Sequence, residues 1–269
     1  MTTDPIISST ANLRIKALAR LRAHRGRSEG NTILVDGLRE IRRAAEADLE
    51  LLEAFYLSEG ASPECRDVVE ICRRRGAKCI QVSPHVMEKL NYGDRTTGLV
   101  LTAVRPTRTF ADLKPGDRPL IAVVDAIEKP GNLGAILRSA DGAGIDGVIA
   151  ADPIADVYSP NVIRASIGTI FTVPLVEAAG GEALAWLRAR GLALVAASPK
   201  GARLHTEIDF RRPTAMVFGS EARGLGRDWK QGDIEHVRVP MMGAADSLNV
   251  SATAALFFYE ARRQRGALK

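Results

Sequence analysis

Three polar, glycine-containing stretches in the second half of the chain carry the residue types that could do chemistry. Each follows an apolar run predicted as a buried strand, and open parallel sheets bind ligands at the carboxyl ends of their strands. Taken alone, each stretch is also typical of a helix cap or a solvated loop. The stretches are residues 129–140 with Asn132 and Arg138, residues 217–226 with Glu221, and residues 239–255 with Ser247 and Asn249.

One sequence, GAGIDG at residues 142–147, literally matches a dinucleotide-binding fingerprint. That fingerprint needs its glycines between a strand and the following helix, so that helix N–H groups meet the pyrophosphate. These glycines instead follow a predicted helix and precede a predicted strand. We therefore predict a helix end with a tight turn, which argues against the alternative of a nicotinamide-dependent oxidoreductase.

Cysteine content and hydropathy exclude several classes of protein. Cys65, Cys72 and Cys79 are seven residues apart, with no CxxC pair or adjacent histidine, so we predict idle or buried thiols and no metal site. The sequence has no apolar run long enough to span a membrane, and residues 1–16 lack the apolar core of a signal peptide. We predict a cytoplasmic protein without membrane or metal partners.

The elements that must position the polar stretches fall into two blocks. The chain has 269 residues, 46% of them hydrophobic, which is enough for two ordinary globular domains. Residues 1–105 read as a small α/β unit, residues 106–119 as a proline-rich linker, and residues 120–269 as a second domain. In the second domain, nearly uninterrupted apolar strands alternate with helices, which predicts a parallel sheet covered on both faces. A final helix is predicted over Leu248–Arg263.

The formal net charge of +5 is mild, but its distribution is uneven. Residues 11–27 contain six basic residues and no acidic residue, which is typical either of phosphate contact or of a solvated basic helix face. The six candidates for RNA contact are Arg14, Lys16, Arg20, Arg22, Arg25 and Arg27.

The three polar stretches, in this order and spacing, resemble the SpoU (TrmH) family of RNA ribose 2′-O-methyltransferases, within the SPOUT class. A fourth stretch, residues 158–174, is similar to the family's Arg-x-Ser-x-Gly segment through Arg164, Ser166 and Gly168. The resemblance covers residues 120–264, and the first block resembles the ribosomal-protein-like RNA-binding extension of many members. One departure is Glu128-Lys129-Pro130, where many members have Asp-Pro.

The resemblance implies a parallel sheet whose C-terminal segment forms a trefoil knot, with S-adenosylmethionine bound in the knot loops. Gly219 would allow close backbone approach, and the apolar Val239 and Leu248 would sandwich the adenine. The residues it assigns to the cofactor are Gly219, Val239, Leu248, Met241 and Met242. It also implies a homodimer packed through knot-side helices, with Phe257, Phe258 and Tyr259 of the final helix as interface candidates.

The reaction implied is methylation of a ribose 2′-hydroxyl, a group that only RNA offers. Arg138 would help to remove the hydroxyl proton together with a substrate phosphate, because a protonated guanidinium alone is a poor base. Arg164 and Ser166 would hold a flanking phosphate. Ribosomal RNA is favoured by the N-terminal extension; the alternatives are transfer RNA and a non-catalytic RNA-binding module. The residues that would orient Arg138 and the ribose are Asn132, Glu221, Ser247 and Asn249.

Overall fold

The structure, a computed structural model, describes residues 6–22, 31–57, 59–91 and 97–266. It divides the chain into two compact units. The first contains Met1–Pro106 together with Tyr158–Thr172, and the second contains Thr107–Val157 together with Val173–Lys269. The predicted boundaries at residues 105 and 120 stay a prediction, and the structure adds that one internal segment of the second block groups with the first unit.

The first unit is built on a four-stranded sheet with strand order β1-β4-β2-β3. β4 pairs antiparallel with both β1 and β2, whereas β2 and β3 are parallel. This is the small α/β unit that the sequence predicts. Its elements up to the end of β4 are α1 (Leu13–Leu21), β1 (Thr32–Asp36), α2 (Leu38–Glu46), β2 (Leu51–Tyr56), α3 (Pro63–Arg74), β3 (Lys78–Gln81), α4 (Pro84–Leu90) and β4 (Leu99–Val104).

Side-chain caps and an apolar core explain why these helices form where they do. The Ser62 hydroxyl accepts a hydrogen bond from the Cys65 N–H at the start of α3, and Ser83 caps α4 in the same way. On α1, Ile15 and Leu18 are buried in a core cluster that includes Phe55. The polar residues of α1 are thereby left on its outer side.

The segment Tyr158–Thr172 contributes a short helix, α6 (Pro160–Ala165), and a 3₁₀ turn to the first unit. The Arg43 guanidinium donates to the Ile167 carbonyl at 2.5 Å. Ile167 has φ of 50°, a left-handed conformation that is uncommon for a β-branched residue. The hydrogen bond to Arg43 helps to hold this strained residue in place.

The second unit contains a seven-stranded sheet with the order β7-β6-β5-β10-β8-β11-β9, and every pairing in it is parallel. All six residues of β5 are buried, as expected for a strand covered on both faces. The prediction of a covered parallel sheet is confirmed. The elements are β5 (Leu120–Asp125), α5 (Pro130–Ala143), β6 (Gly147–Ala151), β7 (Leu175–Ala178), α7 (Gly180–Ala189), β8 (Ala193–Ala197), β9 (Arg203–Leu204), β10 (Thr214–Phe218), β11 (Glu235–Arg238) and α8 (Val250–Gln264).

The glycines of residues 142–147 end a helix, as predicted. Gly144 is the left-handed C-cap of α5, with φ of 61°, and its N–H bonds back to the Ala140 and Asp141 carbonyls. Gly147 opens β6. These glycines therefore stop α5 and turn the chain into the sheet, away from any helix N-terminus.

Residues of the predicted linker pack within the second unit. The Phe110 ring stacks on Trp186 with centroids 5.2 Å apart, and Leu113 is buried in the main apolar cluster of the unit. The proline-rich composition indicated a connection but gave no sign of this packing, because single aromatic and leucine anchors carry no periodicity.

The final helix, α8, buries two of the three residues expected at a dimer interface. Phe257 and Phe258 are 0% exposed, and their rings meet Phe218 edge-on at 5.4 and 5.7 Å. They are core residues, so their assignment to an interface is wrong; the apolar face of α8 packs on its own sheet. Tyr259 and Leu256 are the exposed apolar residues of this helix.

No helix in the described part of the chain is long and apolar enough to cross a membrane.

The three cysteines are free, and Cys72 is fully buried. Burial raises the pKa of the Cys72 thiol to about 12, so the thiol stays protonated at pH 8. We expect iodoacetamide at pH 8 to leave Cys72 unlabelled in the folded protein and to label all three cysteines in guanidinium chloride, as read by peptide mass spectrometry. Rapid labelling of Cys72 in the native protein would contradict its burial.

Candidate active site

Three loops meet at the carboxyl edge of the large sheet. They follow β5, β10 and β11 and comprise residues 126–129, 219–226 and 239–249. β5 and β10 are neighbours in register, with Val124 opposite Phe218, so their carboxyl ends lie side by side. The fold therefore places the three polar stretches together, as the sequence predicts.

Asn249 joins the three stretches through one amide group. Its Oδ1 accepts the Ser251 N–H at 2.9 Å and so caps α8. Its Nδ2 donates to Asn132 Oδ1 at 3.1 Å and to Glu221 Oε1 at 2.6 Å. Asn132, Glu221 and Asn249 form a hydrogen-bonded group that we call the amide–carboxylate cluster.

Lys129 was not among the predicted site residues, yet its side chain contacts the cluster. Its Nζ donates to Glu221 Oε2, so both oxygens of that carboxylate are occupied. The hydrogen bond from Lys129 is the main cause that holds the pKa of Glu221 below its ordinary value, against the opposing effect of burial. Glu221 is therefore ionised at neutral pH and serves as an acceptor. The only signal in the sequence was a cation directly before the proline that opens α5.

A second ion pair runs beside the first. Arg223 Nε lies 3.6 Å from Glu128 Oε1. Residues 128–129 and residues 221–223 are therefore joined by two ion pairs, and each segment supplies the cation of one pair and the carboxylate of the other. Both are exposed, so their contribution to stability is small and their effect is to orient the loops.

The loop of residues 219–226 is closed by its own backbone. Ser220 and Gly224 exchange N–H to carbonyl hydrogen bonds of 3.1 and 2.8 Å. A Cβ on Gly219 would lie 2.4 Å from the Gly224 carbonyl carbon, so this tight turn requires glycine there. The buried Asp125 carboxylate accepts the Gly226 N–H at 2.6 Å and holds the end of the loop against β5.

A cavity of about 190 Å³ opens beside the cluster, over the carboxyl ends of β8, β10 and β11. Four of the five residues assigned to the cofactor line it: Gly219, Val239, Met241 and Leu248. Met242 is 97% exposed and is not among the lining residues. Ser247 lines the cavity but bonds only weakly, to Asp246 at 3.4 Å, and lies apart from the cluster.

Arg138 is exposed on α5 and makes no hydrogen bond or ion pair with any residue that the structure describes. It is six residues beyond Asn132, which on an α-helix is about 9 Å along the axis and about 120° around it. Asn132 and Arg138 therefore lie on the same helix, but Arg138 makes no hydrogen bond to the amide–carboxylate cluster. Its catalytic assignment stays a prediction.

Arg164 and Ser166 belong to the first unit and are engaged within it. Arg164 Nη2 pairs with Asp36 Oδ2 at 2.8 Å, and the Ser166 hydroxyl donates to the Ile163 carbonyl at 2.9 Å. Ser166 is fully buried. Their assignment to RNA phosphate is untested, and these contacts show that both have structural partners as well.

The basic residues of the N-terminal run divide into two groups. Arg14, Lys16 and Arg20 are exposed on α1, and Arg22 donates to the Asn91 carbonyl. Arg25 and Arg27 lie outside the described residues.

No group of three or more His, Cys, Asp or Glu side chains that could hold a metal ion occurs within residues 6–22, 31–57, 59–91 and 97–266.

The fold and the site define a class of protein: an α/β unit with a polar cluster and a cavity in loops at the carboxyl edge of a parallel sheet. Residues 119–259 match the SpoU rRNA Methylase family, and residues 12–101 match the MRM3-like substrate binding domain. The chain belongs to the SpoU rRNA methylase family. This membership confirms the resemblance seen in the polar stretches.

Relatives and solved structures extend the match over nearly the whole chain. A 23S rRNA (uridine(2479)-2′-O)-methyltransferase of Streptomyces viridochromogenes is 32% identical over 246 residues, covering 89% of this chain and 85% of that protein. A crystal structure of an RNA 2′-O ribose methyltransferase is 42% identical, with a TM-score of 0.83 over 97% of this chain and 99% of the other. The SpoU methyltransferase AviRb from S. viridochromogenes, in complex with AdoMet, is 30% identical, with a TM-score of 0.87 over 96% of this chain and 100% of the other.

The tight turn at Gly219 yields a stability prediction. In Gly219→Ala the added Cβ meets backbone atoms of Gly224 and Leu225 within 2.6 Å, and backbone cannot rotate away as a flexible side chain can. We expect a loss of about 1–3 kcal/mol in the free energy of unfolding, measured by urea denaturation.

Gly232→Ala is the matched control, because a Cβ there has no neighbour within 4 Å. Its expected change is below about 0.5 kcal/mol. Equal stability of the two variants would show that the loop does not need glycine at residue 219.

Proposed function

We propose that this protein methylates a ribose 2′-hydroxyl of 23S ribosomal RNA, with S-adenosylmethionine as the methyl donor. The single observation that carries the proposal is the amide–carboxylate cluster of Asn132, Glu221 and Asn249, built from three loops beside the 190 Å³ cavity. The family membership and the 2′-O-methyltransferase relatives support the same activity.

The cavity fits the cofactor. Its walls combine apolar side chains such as Val239 and Leu248 with backbone of the loop at Gly219, where the absence of a side chain leaves main-chain groups accessible. Such walls suit an adenine ring and a polar ribose and amino-acid end. When bound, S-adenosylmethionine supplies an electrophilic methyl group on a sulfonium.

The residues of the chain provide orientation in this reaction. Asn132, Glu221 and Asn249 form a preorganised polar surface for the ribose, and alignment of reacting groups supplies much of the rate in such transfers. Both oxygens of Glu221 already accept hydrogen bonds and its pKa is lowered, so it is a poor base for the hydroxyl proton. Removal of that proton is assigned to Arg138 acting with a substrate phosphate, since its guanidinium is exposed on the helix that carries Asn132.

RNA binding is assigned to the first unit. Arg14, Lys16 and Arg20 are exposed on one helix, and the match of residues 12–101 to a substrate binding domain supports this role. The relatives that are named 23S rRNA methyltransferases favour ribosomal RNA over transfer RNA. A ribosomal RNA substrate supports a cytoplasmic location for the protein. Asn132, Arg138 and Asn249 are all present, which disfavours a non-catalytic binding module.

The active unit is proposed to be a homodimer. Leu248, Leu256 and Tyr259 are 39–46% exposed and line a broad groove of about 740 Å³ along α8. An exposed apolar groove of this kind is typical of a protein interface. Tyr259 stays an interface candidate on this helix, and Leu256 takes the place of Phe257 and Phe258.

The activity is tested by incubating the purified protein with methyl-labelled S-adenosylmethionine and unmodified 23S ribosomal RNA, then mapping the labelled ribose. Transfer RNA is the competing substrate in a parallel reaction. Label in transfer RNA alone would reject the ribosomal assignment, and binding of both RNA and cofactor without transfer would indicate the non-catalytic alternative.

Arg138→Ala tests the proton-removal assignment. If Arg138 positions a phosphate and helps to remove the proton, single-turnover methyl transfer should fall by roughly 10²–10⁴ while cofactor affinity stays near that of the wild type. Arg138→Lys should rescue poorly, because lysine keeps the charge but loses the bidentate fork. A wild-type rate in Arg138→Ala would remove the residue from the mechanism.

Leu256→Arg tests the interface. Placing a charge in the groove should shift the mass measured by light scattering from a dimer to the 28.9 kDa of one chain. Leu13→Arg is the control, because Leu13 is 82% exposed on α1 in the other unit. A dimer that persists in Leu256→Arg would place the interface elsewhere.

A further inference from the structure

Lys129 lies at the edge of the proposed active site and has not yet been assigned a role toward the substrate. It is the N-cap residue of α5, directly before Pro130, and its side chain is 69% exposed. The only hydrogen bond that its ammonium makes to the residues that the structure describes goes to Glu221 Oε2. An ammonium group has three N–H donors, so two remain for a ligand.

The two oxygens of Glu221 place Lys129 beside the cluster. Asn249 Nδ2 donates to Oε1 and Lys129 Nζ donates to Oε2, so the amide and the ammonium lie one carboxylate width apart. The ammonium and the Asn249 amide therefore flank the same carboxylate, one at each oxygen.

A second cavity opens at this point. It has a volume of about 250 Å³ and is lined by Ile127, Glu128, Lys129, Asn132, Glu221 and Ala222. Lys129 and Asn132 line this cavity and not the 190 Å³ cavity assigned to the cofactor, whereas Glu221 lines both. The two cavities thus share one wall, as a donor site and an acceptor site for group transfer would.

Lys129 remains positively charged. Its hydrogen bond and ion pair with Glu221 raise the pKa of the ammonium above its ordinary value, so it stays protonated at any pH at which the protein would work. The anion that such a group would meet in RNA is the phosphodiester.

The chemistry of the nucleotide connects this cation to the reaction. The 2′-hydroxyl and the 3′-phosphate are carried on adjacent carbons of the ribose. A ribose whose 2′-hydroxyl lies at the amide–carboxylate cluster therefore presents its 3′-phosphate to groups next to that cluster. We propose that Lys129 binds the phosphodiester adjacent to the methylated ribose in the 250 Å³ cavity; this rests on the function proposed above.

The proposal accounts for the departure noted in the sequence. Where many members of the family have Asp-Pro, this chain has Lys129-Pro130. This chain therefore carries an ammonium in the wall of the 250 Å³ cavity, where it adds one attractive contact to the RNA backbone. Lys129 is thus a substrate-binding residue of this chain.

The salt dependence of RNA binding separates this role from mere support of Glu221. Each phosphate contact contributes about 0.7–0.9 to the slope of log affinity against log salt concentration. For the full-length protein with unmodified 23S ribosomal RNA, we expect Lys129→Met to reduce the magnitude of that slope by about 0.7–0.9. Lys129→Arg should retain the wild-type slope, and calorimetry should show unchanged affinity for S-adenosylmethionine in both variants.

Lys114→Met is the matched control. Lys114 is exposed, and its neighbour Leu113 packs against Gly147 at the amino end of β6, which places Lys114 at the opposite edge of the sheet. The same loss of charge there should leave the slope unchanged. An equal reduction of slope in Lys114→Met would mean that the effect is one of overall charge and would overturn the proposal.

An unchanged slope in Lys129→Met overturns the proposal in either of two ways. If methyl transfer also falls, Lys129 acts only by orienting Glu221; if transfer is unchanged, Lys129 has no part in the site. Failure of the proposed function has a separate signature, since the wild-type protein itself would then transfer no methyl to the RNA, whatever the slopes show.

Discussion

The arrangement of the site depends on the side-chain amide of Asn249. Its oxygen caps α8 by accepting the Ser251 N–H, and this bond determines which way the amide faces. The nitrogen is then directed at Asn132 and Glu221 and joins the loops after β5 and β10 to the start of the last helix. Because α8 packs on the sheet, the Asn249 amide is held in one place, and its hydrogen bonds in turn fix the positions of Asn132 and Glu221.

The charges around this amide have different functions. Glu221 is held ionised, and its two oxygens accept hydrogen bonds from Lys129 and Asn249, which fixes these partners around one carboxylate. The pairs Lys129–Glu221 and Glu128–Arg223 are exposed, and exposed pairs add little to folding stability because water screens them and long side chains lose entropy. Their value lies in the alignment of the two loops. The rigid support comes from buried contacts, chiefly Asp125 on Gly226 and the closed turn at Gly219.

In the first unit, too, buried residues hold the structure together while exposed charged residues are left for contact with a ligand. Ile15 and Leu18 bury one face of α1, which leaves Arg14, Lys16 and Arg20 on the surface. In the segment Tyr158–Thr172 the polar residues are instead engaged within the unit, with Arg164 on Asp36 and Ser166 on its own helix. Exposure makes the α1 residues the stronger candidates for phosphate contact; the one ion pair among them, Arg14 with Glu53 at 3.7 Å, is long and lies at the surface.

Local patterns in the sequence determined much of the fold and of the site. Apolar runs such as Leu120–Asp125 predicted the parallel sheet because a strand buried on both faces has no polar alternation. Glycine and asparagine chemistry predicted the end of α5 at Gly144 and placed Asn132, Glu221 and Asn249 at one edge of the sheet. The edge strands β7 and β9 were not predicted; β9 has only two residues, which are too few to show a pattern.

Only the tertiary structure decided which residues touch. The engagement of Lys129 with Glu221, the burial of Phe257 and Phe258, and the grouping of Tyr158–Thr172 with the first unit all depend on contacts between residues far apart in the chain. Such contacts leave no periodic mark in a single sequence. They follow from how helices and loops pack once the sheet has formed, and that packing is a property of the whole unit.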